Sequence, residues 1–192
     1  MILLASQSPY KRQQLSALGL PVSFCSPDTD ESALPGEHPR DTALRLAAAK
    51  AENPASANST DWVIGSDQTA HLESETHLLR KPGSIEAAIE QLTYCSGQTV
   101  LFHSGIAVRP PGTRAARVAV ETVRVRFRNL DKETISRYIR KEMPLDCVGA
   151  FKCEGLGISL FESIESRDPT ALVGLPMIAL CRLLREAGLT IP

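Results

Sequence analysis

The first residues able to do chemistry are Ser8, Lys11 and Arg12, which follow a short apolar run. Ser8 is a preferred helix N-cap, and Pro9 suits the first helical position because its nitrogen carries no hydrogen to leave unpaired. Two cations in the first turn oppose the helix dipole, so we expect an anion to neutralise them. Free amide N–H groups, the dipole and basic side chains together predict a phosphate site. An ordinary surface helix start is the alternative.

Two acidic positions could hold a metal ion or activate a water molecule. Asp67 follows a strand predicted at residues 62–66, and α/β sheets place ligand crevices at the carboxyl ends of strands. Asp30 and Glu31 follow another predicted strand, over residues 21–25. Carboxylates ligate divalent cations and accept protons from water. A turn aspartate and a solvated acidic loop are the alternatives.

Further candidates lie later in the chain. Lys81 could place a cation beside an anionic ligand, and Lys50 could do so if its helix turns it inward. Residues 149–157 contain three glycines around Glu154, which indicates tight turns or a close approach of backbone to a ligand. The turn at residues 173–176 is explained by packing as well as by binding.

Composition excludes several classes of function. The chain has 192 residues, 43% of them hydrophobic, and a net charge of −1, so no basic field points to nucleic acid or a membrane surface. Five irregularly spaced cysteines favour reduced thiols and a cytoplasmic location. The chain contains no P-loop, nucleophile elbow or closely spaced histidine pair, and its four histidines are expected at the surface.

Strand-like and helix-like segments alternate, which predicts an α/β fold without a separate linker or repeat. Strands are predicted at residues 2–5, 21–25, 62–66, 98–109 and 117–128, and helices at 9–18, 39–53, 84–92, 131–139 and 176–187. The polar segment 71–80 is expected to be the most flexible. Arg124, Arg126 and Arg128 are expected to form a solvated strand face.

The order of the motifs is more specific than any one of them. They are Ser6-x-Ser8-Pro9, Asp30-Glu31, Ile64-Gly65-Ser66-Asp67-Gln68, Lys81-Pro82, Ser96-Gly97, Gly149-Ala150-Phe151 and Val173-Gly174-Leu175-Pro176. This series, over residues 2–185, resembles the Maf family of nucleoside triphosphate pyrophosphatases. The resemblance implies a single domain over residues 1–192, with an elongated, two-lobed α/β fold like that of inosine triphosphate pyrophosphatases. It implies a mixed sheet with flanking helices and an active cleft between the lobes.

The resemblance also implies roles for individual residues. Asp67 is expected to be the proton acceptor and, with Glu31, to hold Mg²⁺ or Mn²⁺. Cleavage falls between the α- and β-phosphates of a nucleoside triphosphate. The phosphate-binding residues are expected to be Ser8, Arg12, Lys50 and Lys81. Arg80 stands where the family pattern has glycine, so it could partly replace Lys81.

Tyr10, Gln68 and Glu154 resemble the specificity set of the 7-methyl-GTP pyrophosphatase branch, which usually has tryptophan where Tyr10 stands. N7-methylation makes guanine cationic, and an aromatic face attracts a cation. A carboxylate such as Glu154 can accept hydrogen bonds from the guanine N1–H and N2–H₂ groups. The predicted reaction therefore converts 7-methyl-GTP to 7-methyl-GMP and diphosphate.

Two other functions stay open at this point. One is a nucleotide-binding regulator with little turnover, for instance of cell division, and the other is a dTTP/UTP-type pyrophosphatase. A homodimer is a family-level expectation.

Overall fold

The computed structural model describes residues 1–54, 57–58 and 60–191. The strands are β1 (Ile2–Ala5), β2 (Val22–Cys25), β3 (Trp62–Leu72), β4 (Thr99–Arg109), β5 (Arg117–Phe127) and β6 (Phe161–Glu165). The helices are α1 (Pro9–Ser16), α2 (Pro39–Glu52), α3 (Ile85–Cys95), α4 (Lys132–Glu142) and α5 (Met177–Glu186). Short 3₁₀ helices occupy Leu156–Leu160 and Ala171–Val173. Within the described ranges, no helix is long and apolar enough to span a membrane.

Local capping explains where three helices begin. Ser8, Ser84 and Asp131 each accept a hydrogen bond from a backbone N–H in the first turn that follows, at 3.4, 3.2 and 2.7 Å. Each bond satisfies a donor that the helix itself leaves unpaired. The predicted starts of α1, α3 and α4 are confirmed.

The strands form one sheet in the order β2-β1-β3-β4-β5-β6. Strand β1 pairs in parallel with both β2 and β3, and β5 pairs antiparallel with β6. All four residues of β1 are buried, as expected for a central strand that reads as a continuous apolar run. The predicted α/β class with a mixed sheet and flanking helices is confirmed.

The chain divides into two compact units. The first comprises Met1–Gln68, His103–Glu121 and Asp168–Pro192, and the second comprises Thr69–Phe102 and Thr122–Arg167. The core of the first unit includes Leu4, Leu15, Ile64, Ile106 and Leu180. The second unit contains edge-to-face contacts among Phe102, Phe127, Phe151 and Phe161, with ring centroids 4.8–5.9 Å apart.

Two strands differ from the sequence-based expectation. Strand β3 continues to Leu72, beyond the predicted end at residue 66, although Asp67 and Gln68 interrupt its apolar pattern. Strand β6 was not predicted, because four of its five residues are exposed and show no alternation. It lies at the sheet edge, where pairing with β5 rather than burial defines it.

The polar segment 71–80 begins inside β3 and folds back on it. The Leu79 N–H donates to the Ala70 carbonyl at 2.8 Å. Its predicted flexibility stays a prediction. The expected solvated arginine face holds ion pairs, since Arg124 contacts Glu73 and Glu165 at the surface.

The expectation that all four histidines lie at the surface is wrong for two of them. His38 and His77 are exposed. His71 and His103 are buried, with 3% of each residue exposed. His71 Nδ1 lies within hydrogen-bond distance of the Leu72 and Glu75 carbonyl oxygens, so backbone acceptors replace the water it loses on burial.

Candidate active site

An ammonium group lies between two carboxylates in the first unit. Lys50 Nζ is 2.5 Å from an oxygen of Asp67 and 2.5 Å from an oxygen of Glu31. The Lys50 and Asp67 side chains are 7% and 14% exposed, whereas that of Glu31 is 62% exposed. The structure therefore brings together the predicted base, a predicted metal ligand and a predicted phosphate ligand.

The two carboxylates stabilise the positive charge of Lys50. Burial alone would lower the pKa of Lys50, but the Asp67 charge and hydrogen bonds to Asp67 and Glu31 outweigh burial and raise it. Lys50 is therefore protonated near neutral pH. A buried ion pair is stable only when each charge keeps its partner, so losing either partner is costly.

Close packing of α2 on the sheet brings Lys50 to Asp67. A Cβ atom on Gly65 would lie 2.2 Å from the Ala47 carbonyl oxygen and 2.6 Å from the Ala51 nitrogen. Only glycine therefore allows helix and strand to approach this closely. Lys50 lies in the last turn of α2, beside these contacts, and its side chain turns inward toward Asp67.

Helix α1 carries Arg12, one of the predicted phosphate-binding residues. The Arg12 guanidinium carbon lies 4.8 Å from the centre of the Phe24 ring. Arg12 Nε is buried and has no hydrogen-bond partner among the described residues. Lys11, the other first-turn cation, donates from Nζ to the Ser66 carbonyl at 3.1 Å. Of these two cations, Arg12 therefore has the donor that a ligand oxygen would satisfy.

The predicted specificity residues lie in different surroundings. Tyr10 is half-buried on α1. Gln68 Nε2 donates to Ser104 Oγ at 2.9 Å and to the carbonyls of Ala171 and Leu172 at 3.1 and 3.2 Å. Glu154 is exposed and belongs to the second unit. The Gln68 amide nitrogen is thus engaged within the protein.

Ser8 and Lys81, the other two predicted phosphate-binding residues, belong to different units. The Ser8 hydroxyl caps α1 in the first unit. Lys81 is exposed and belongs to the second unit. The backbone N–H of the neighbouring Arg80 donates to Gln91 Oε1 at 3.3 Å, which ties this segment to α3.

The sequence did not predict the roles of Gln14 and of Ser66 in its motif, which tie α1 and β3 to the turn at residues 170–175. Gln14 Nε2 donates to the carbonyls of Thr170 and Leu175 at 2.8 and 3.2 Å. Its Oε1 accepts from the Leu175 N–H at 3.0 Å. Ser66 Oγ donates to the Gly174 carbonyl at 3.0 Å. Gly174 within this turn and Pro176 directly after it were its visible sequence signal.

Sequence comparison with known proteins matches nearly the whole chain. The family model described as "Maf-like protein" matches residues 1–187. Proteins named 7-methyl-GTP pyrophosphatase from Xanthomonas axonopodis pv. citri and Pseudomonas aeruginosa are 50% and 47% identical over 191 residues, covering all of this chain and 98% of each relative. One from Saccharophagus degradans is 47% identical over 185 residues, covering 96% of this chain and 93% of the relative.

A solved structure described as "The structure of the Staphylococcus aureus Ham1 protein" overlaps less. It has a TM-score of 0.44 and 22% identity, covering 67% of this chain and 72% of that chain. An overlap of this size supports no argument about fold or function. The family is shown by the match of its model over residues 1–187 and by relatives that align over the full length of the chain. The chain belongs to the Maf family.

Proposed function

We propose that this protein is a nucleoside triphosphate pyrophosphatase that hydrolyses 7-methyl-GTP to 7-methyl-GMP and diphosphate. The observation that carries the proposal is 47–50% identity, over nearly the whole chain, with proteins named 7-methyl-GTP pyrophosphatase. The matched length includes the Glu31, Lys50 and Asp67 group. That group has the chemistry the reaction needs, since it combines a carboxylate base with positive charge.

Asp67 is the proposed general base. Its carboxylate takes a proton from a water molecule as the water oxygen bonds to the α-phosphorus. The bond from that phosphorus to the bridging oxygen breaks, and its electron pair leaves with the diphosphate. Lys50, 2.5 Å from Asp67, orients the carboxylate and contributes positive charge. A positioned general base typically contributes about 100- to 10,000-fold to the rate.

Phosphate binding is assigned to Ser8, Arg12, Lys50 and Lys81. The strongest support concerns Arg12, whose buried Nε has no partner among the described residues. Leaving a buried donor unsatisfied costs roughly 1–3 kcal/mol, and a phosphate oxygen would remove that cost. A guanidinium also presents several donors in the planar geometry that suits phosphate.

Glu31 and Asp67 would hold the divalent cation, Mg²⁺ or Mn²⁺. Their oxygens both approach Lys50 Nζ, so one cation already bridges them. In the described part of the chain, no group of three or more His, Cys, Asp or Glu side chains could hold a metal. Two carboxylates with substrate phosphates and water is nevertheless a common Mg²⁺ arrangement, so the donor set fits. When bound, the ion would neutralise phosphate charge.

Base selection is assigned to Tyr10, Gln68 and Glu154. Tyr10 offers an aromatic face to the cationic methylated base, and Glu154 accepts from the guanine N1–H and N2–H₂ groups. The Gln68 amide nitrogen already serves Ser104 and two backbone carbonyls. Gln68 therefore acts on base selection either through its Oε1 atom or by positioning residues 171 and 172 of the 170–175 turn.

Pyrophosphate release from a nucleotide panel tests the proposal. The purified protein is assayed with 7-methyl-GTP, GTP, UTP and dTTP, each with Mg²⁺ and with Mn²⁺. We expect the highest kcat/KM for 7-methyl-GTP, with 7-methyl-GMP as the other product. A preference for UTP or dTTP would assign the protein to the other branch. Tight nucleotide binding without turnover would indicate a regulator and overturn the proposal.

A further inference from the structure

Helix α4 contacts the loop of residues 152–157, the later part of the glycine-rich 149–157 motif in the second unit. The Tyr138 hydroxyl oxygen accepts a hydrogen bond from the Lys152 backbone N–H at 3.0 Å. Lys152 Nζ donates to the Glu142 backbone carbonyl at 3.2 Å. The Glu142 carboxylate accepts from the Leu156 N–H at 2.8 Å. The helix therefore binds the loop at both of its ends.

Two glycines bring the loop into direct contact with itself and with α4. A Cβ atom on Gly155 would lie 2.8 Å from both carboxylate oxygens of Glu142, and one on Gly157 would lie 2.4 Å from the Lys152 carbonyl oxygen. That carbonyl accepts hydrogen bonds from the N–H groups of both glycines, at 3.2 and 3.0 Å. No side chain separates the loop from the Glu142 carboxylate, so a shift of one displaces the other.

Between the two bound ends lies Glu154, whose side chain is exposed. Cys153 Sγ lies 3.4 Å from its Oε2 atom, a weak contact for orienting a carboxylate. An exposed glutamate loses side-chain entropy when it is held in one direction. Because its own contact is weak, the backbone on either side must fix where the carboxylate lies.

We propose that Tyr138 and Glu142 are positioning residues that fix the Glu154 loop and thereby set the preference for 7-methylguanine. The inference rests on the proposed function. It adds Tyr138 and Glu142 to the residues that determine specificity, and both act through the position of Glu154. It also gives a role to Gly155 and Gly157 of the 149–157 motif, which base recognition by Glu154 alone leaves unexplained.

The inference predicts a change in nucleotide ranking rather than a general loss of turnover. The contacts described above for Asp67, Arg12 and Ser8 are made with other residues of the first unit, and substitutions at Tyr138 and Glu142 remove none of them. UTP and dTTP lack the paired donors of the guanine edge. Their kcat/KM values should therefore depend little on where Glu154 lies.

Three variants test this expectation, each assayed for kcat/KM with 7-methyl-GTP, GTP and UTP. Tyr138→Phe removes the acceptor for the Lys152 N–H and should lower the 7-methyl-GTP to UTP ratio by about 5- to 10-fold. Glu142→Ala should do the same. Glu142→Gln keeps an oxygen that accepts from the Leu156 N–H, so it should restore most of the ratio.

Arg137→Ala is the matched control. Arg137 lies on the same helix, is exposed, and pairs at the surface with Glu133. The control should keep the wild-type ratio. Thermal unfolding of every variant shows whether it is folded, and Tyr138→Phe, which loses a single hydroxyl group, carries the test if Glu142→Ala does not fold.

A double variant separates positioning from a general structural role. If Tyr138 acts through Glu154, adding Tyr138→Phe to Glu154→Gln should change the ratio by less than about twofold further. Independent multiplication of the two effects would overturn the inference. So would an unchanged ratio in both Tyr138→Phe and Glu142→Ala. A wild-type protein that releases no pyrophosphate from any nucleotide would instead overturn the proposed function, and this inference with it.

Discussion

The proposed proton transfer depends on the negative charge of the Asp67 carboxylate. Asp67→Asn keeps the shape of the side chain but removes its charge and most of its basicity. We expect kcat to fall by at least about 100-fold, the scale of a lost general base. Pyrophosphate release under single-turnover conditions measures this loss directly, with circular dichroism to verify the fold. A folded variant with near-wild-type kcat would remove Asp67 from the mechanism.

Arg12 should act on every nucleotide alike, because phosphates are common to all of them. Arg12→Ala removes the cation over Phe24 and a buried Nε that has no hydrogen-bond partner in the described part of the chain. We expect kcat/KM to fall by roughly 10- to 100-fold for 7-methyl-GTP, GTP and UTP, the scale of a hydrogen bond to a charged group. Gln13→Ala, an exposed neighbour on α1, is the control. A loss confined to one base would show that Arg12 reads the base instead.

The role of a residue could be predicted from the sequence where its neighbours along the chain determine that role. Ser8 as an N-cap needs only the residues that follow it, and the structure confirms that role. The sequence does not predict that Lys50 turns inward, because its partners come from β3 and from the loop before α2. A tertiary contact of this kind leaves no local pattern.

At the scale of elements, Glu37 joins the loop before α2 to the helix. Its carboxylate accepts from Arg45 Nε at 2.7 Å, from the Leu34 N–H at 3.1 Å and from Thr42 Oγ1 at 2.9 Å. Arg45 Nη2 also donates to the Ser32 carbonyl at 2.9 Å, one residue from Glu31. The pair therefore holds in place the segment that carries a proposed metal ligand.

This contact predicts how stability depends on pH. The hydrogen bond from Arg45 lowers the pKa of Glu37 to about 2, from 4.5 for an unperturbed glutamate. Over that interval the unfolded chain binds a proton that the folded chain excludes, so the free energy of unfolding should fall as pH drops from 4.5 toward 2. The contribution is fully present above pH 4.5.

Urea unfolding across this interval measures the effect. Glu37→Gln should lower the free energy of unfolding by about 1–2 kcal/mol at neutral pH and flatten its decline in acid. Glu133→Gln alters an exposed pair and should leave the slope unchanged, because surface ion pairs contribute little. An unchanged acid slope in Glu37→Gln would show that other carboxylates dominate.

Helices and two long strands were predictable from the sequence, whereas the continuation of β3, an exposed strand and a turn were not. The starts of α3 and α4 follow from Ser84 and Asp131, and β5 follows from the alternation of its side chains. Strand β6 has no buried face to mark it. The 170–175 turn is held in place by Gln14, whose side chain hydrogen-bonds to residues more than 150 positions away along the chain.

For the whole molecule, the close approach of α2 to the sheet links stability to catalysis. Gly65 and Gly105 both face this helix, and a Cβ atom on either would lie 2.2 Å from a carbonyl oxygen of α2. The carbonyls belong to Ala47 and Ala43. The same helix carries Lys50 to Asp67. The sequence shows these glycines but not what packs against them, so their role was beyond prediction.

Gly65→Ala should therefore damage the fold and the site together. The added methyl group meets backbone atoms, which cannot rotate away, so α2 must move off the strand. We expect a loss of about 1–3 kcal/mol in the free energy of unfolding, the usual cost of overpacking. Because Lys50 moves with the helix, kcat should also fall, by about 10-fold or more, since misplacing a positioned group by a small distance is costly.

Gly112→Ala distinguishes this effect from destabilisation alone. Gly112 has a φ of 71° and open space around its Cβ position, so the substitution costs backbone strain without a steric clash. That strain is about 1–2 kcal/mol, similar to the loss expected for Gly65→Ala. Urea unfolding and pyrophosphate release are measured on both variants at a temperature where each is folded. Equal stability losses with a kcat defect only in Gly65→Ala would establish that helix–strand contact positions Lys50, and equal kcat values would refute it.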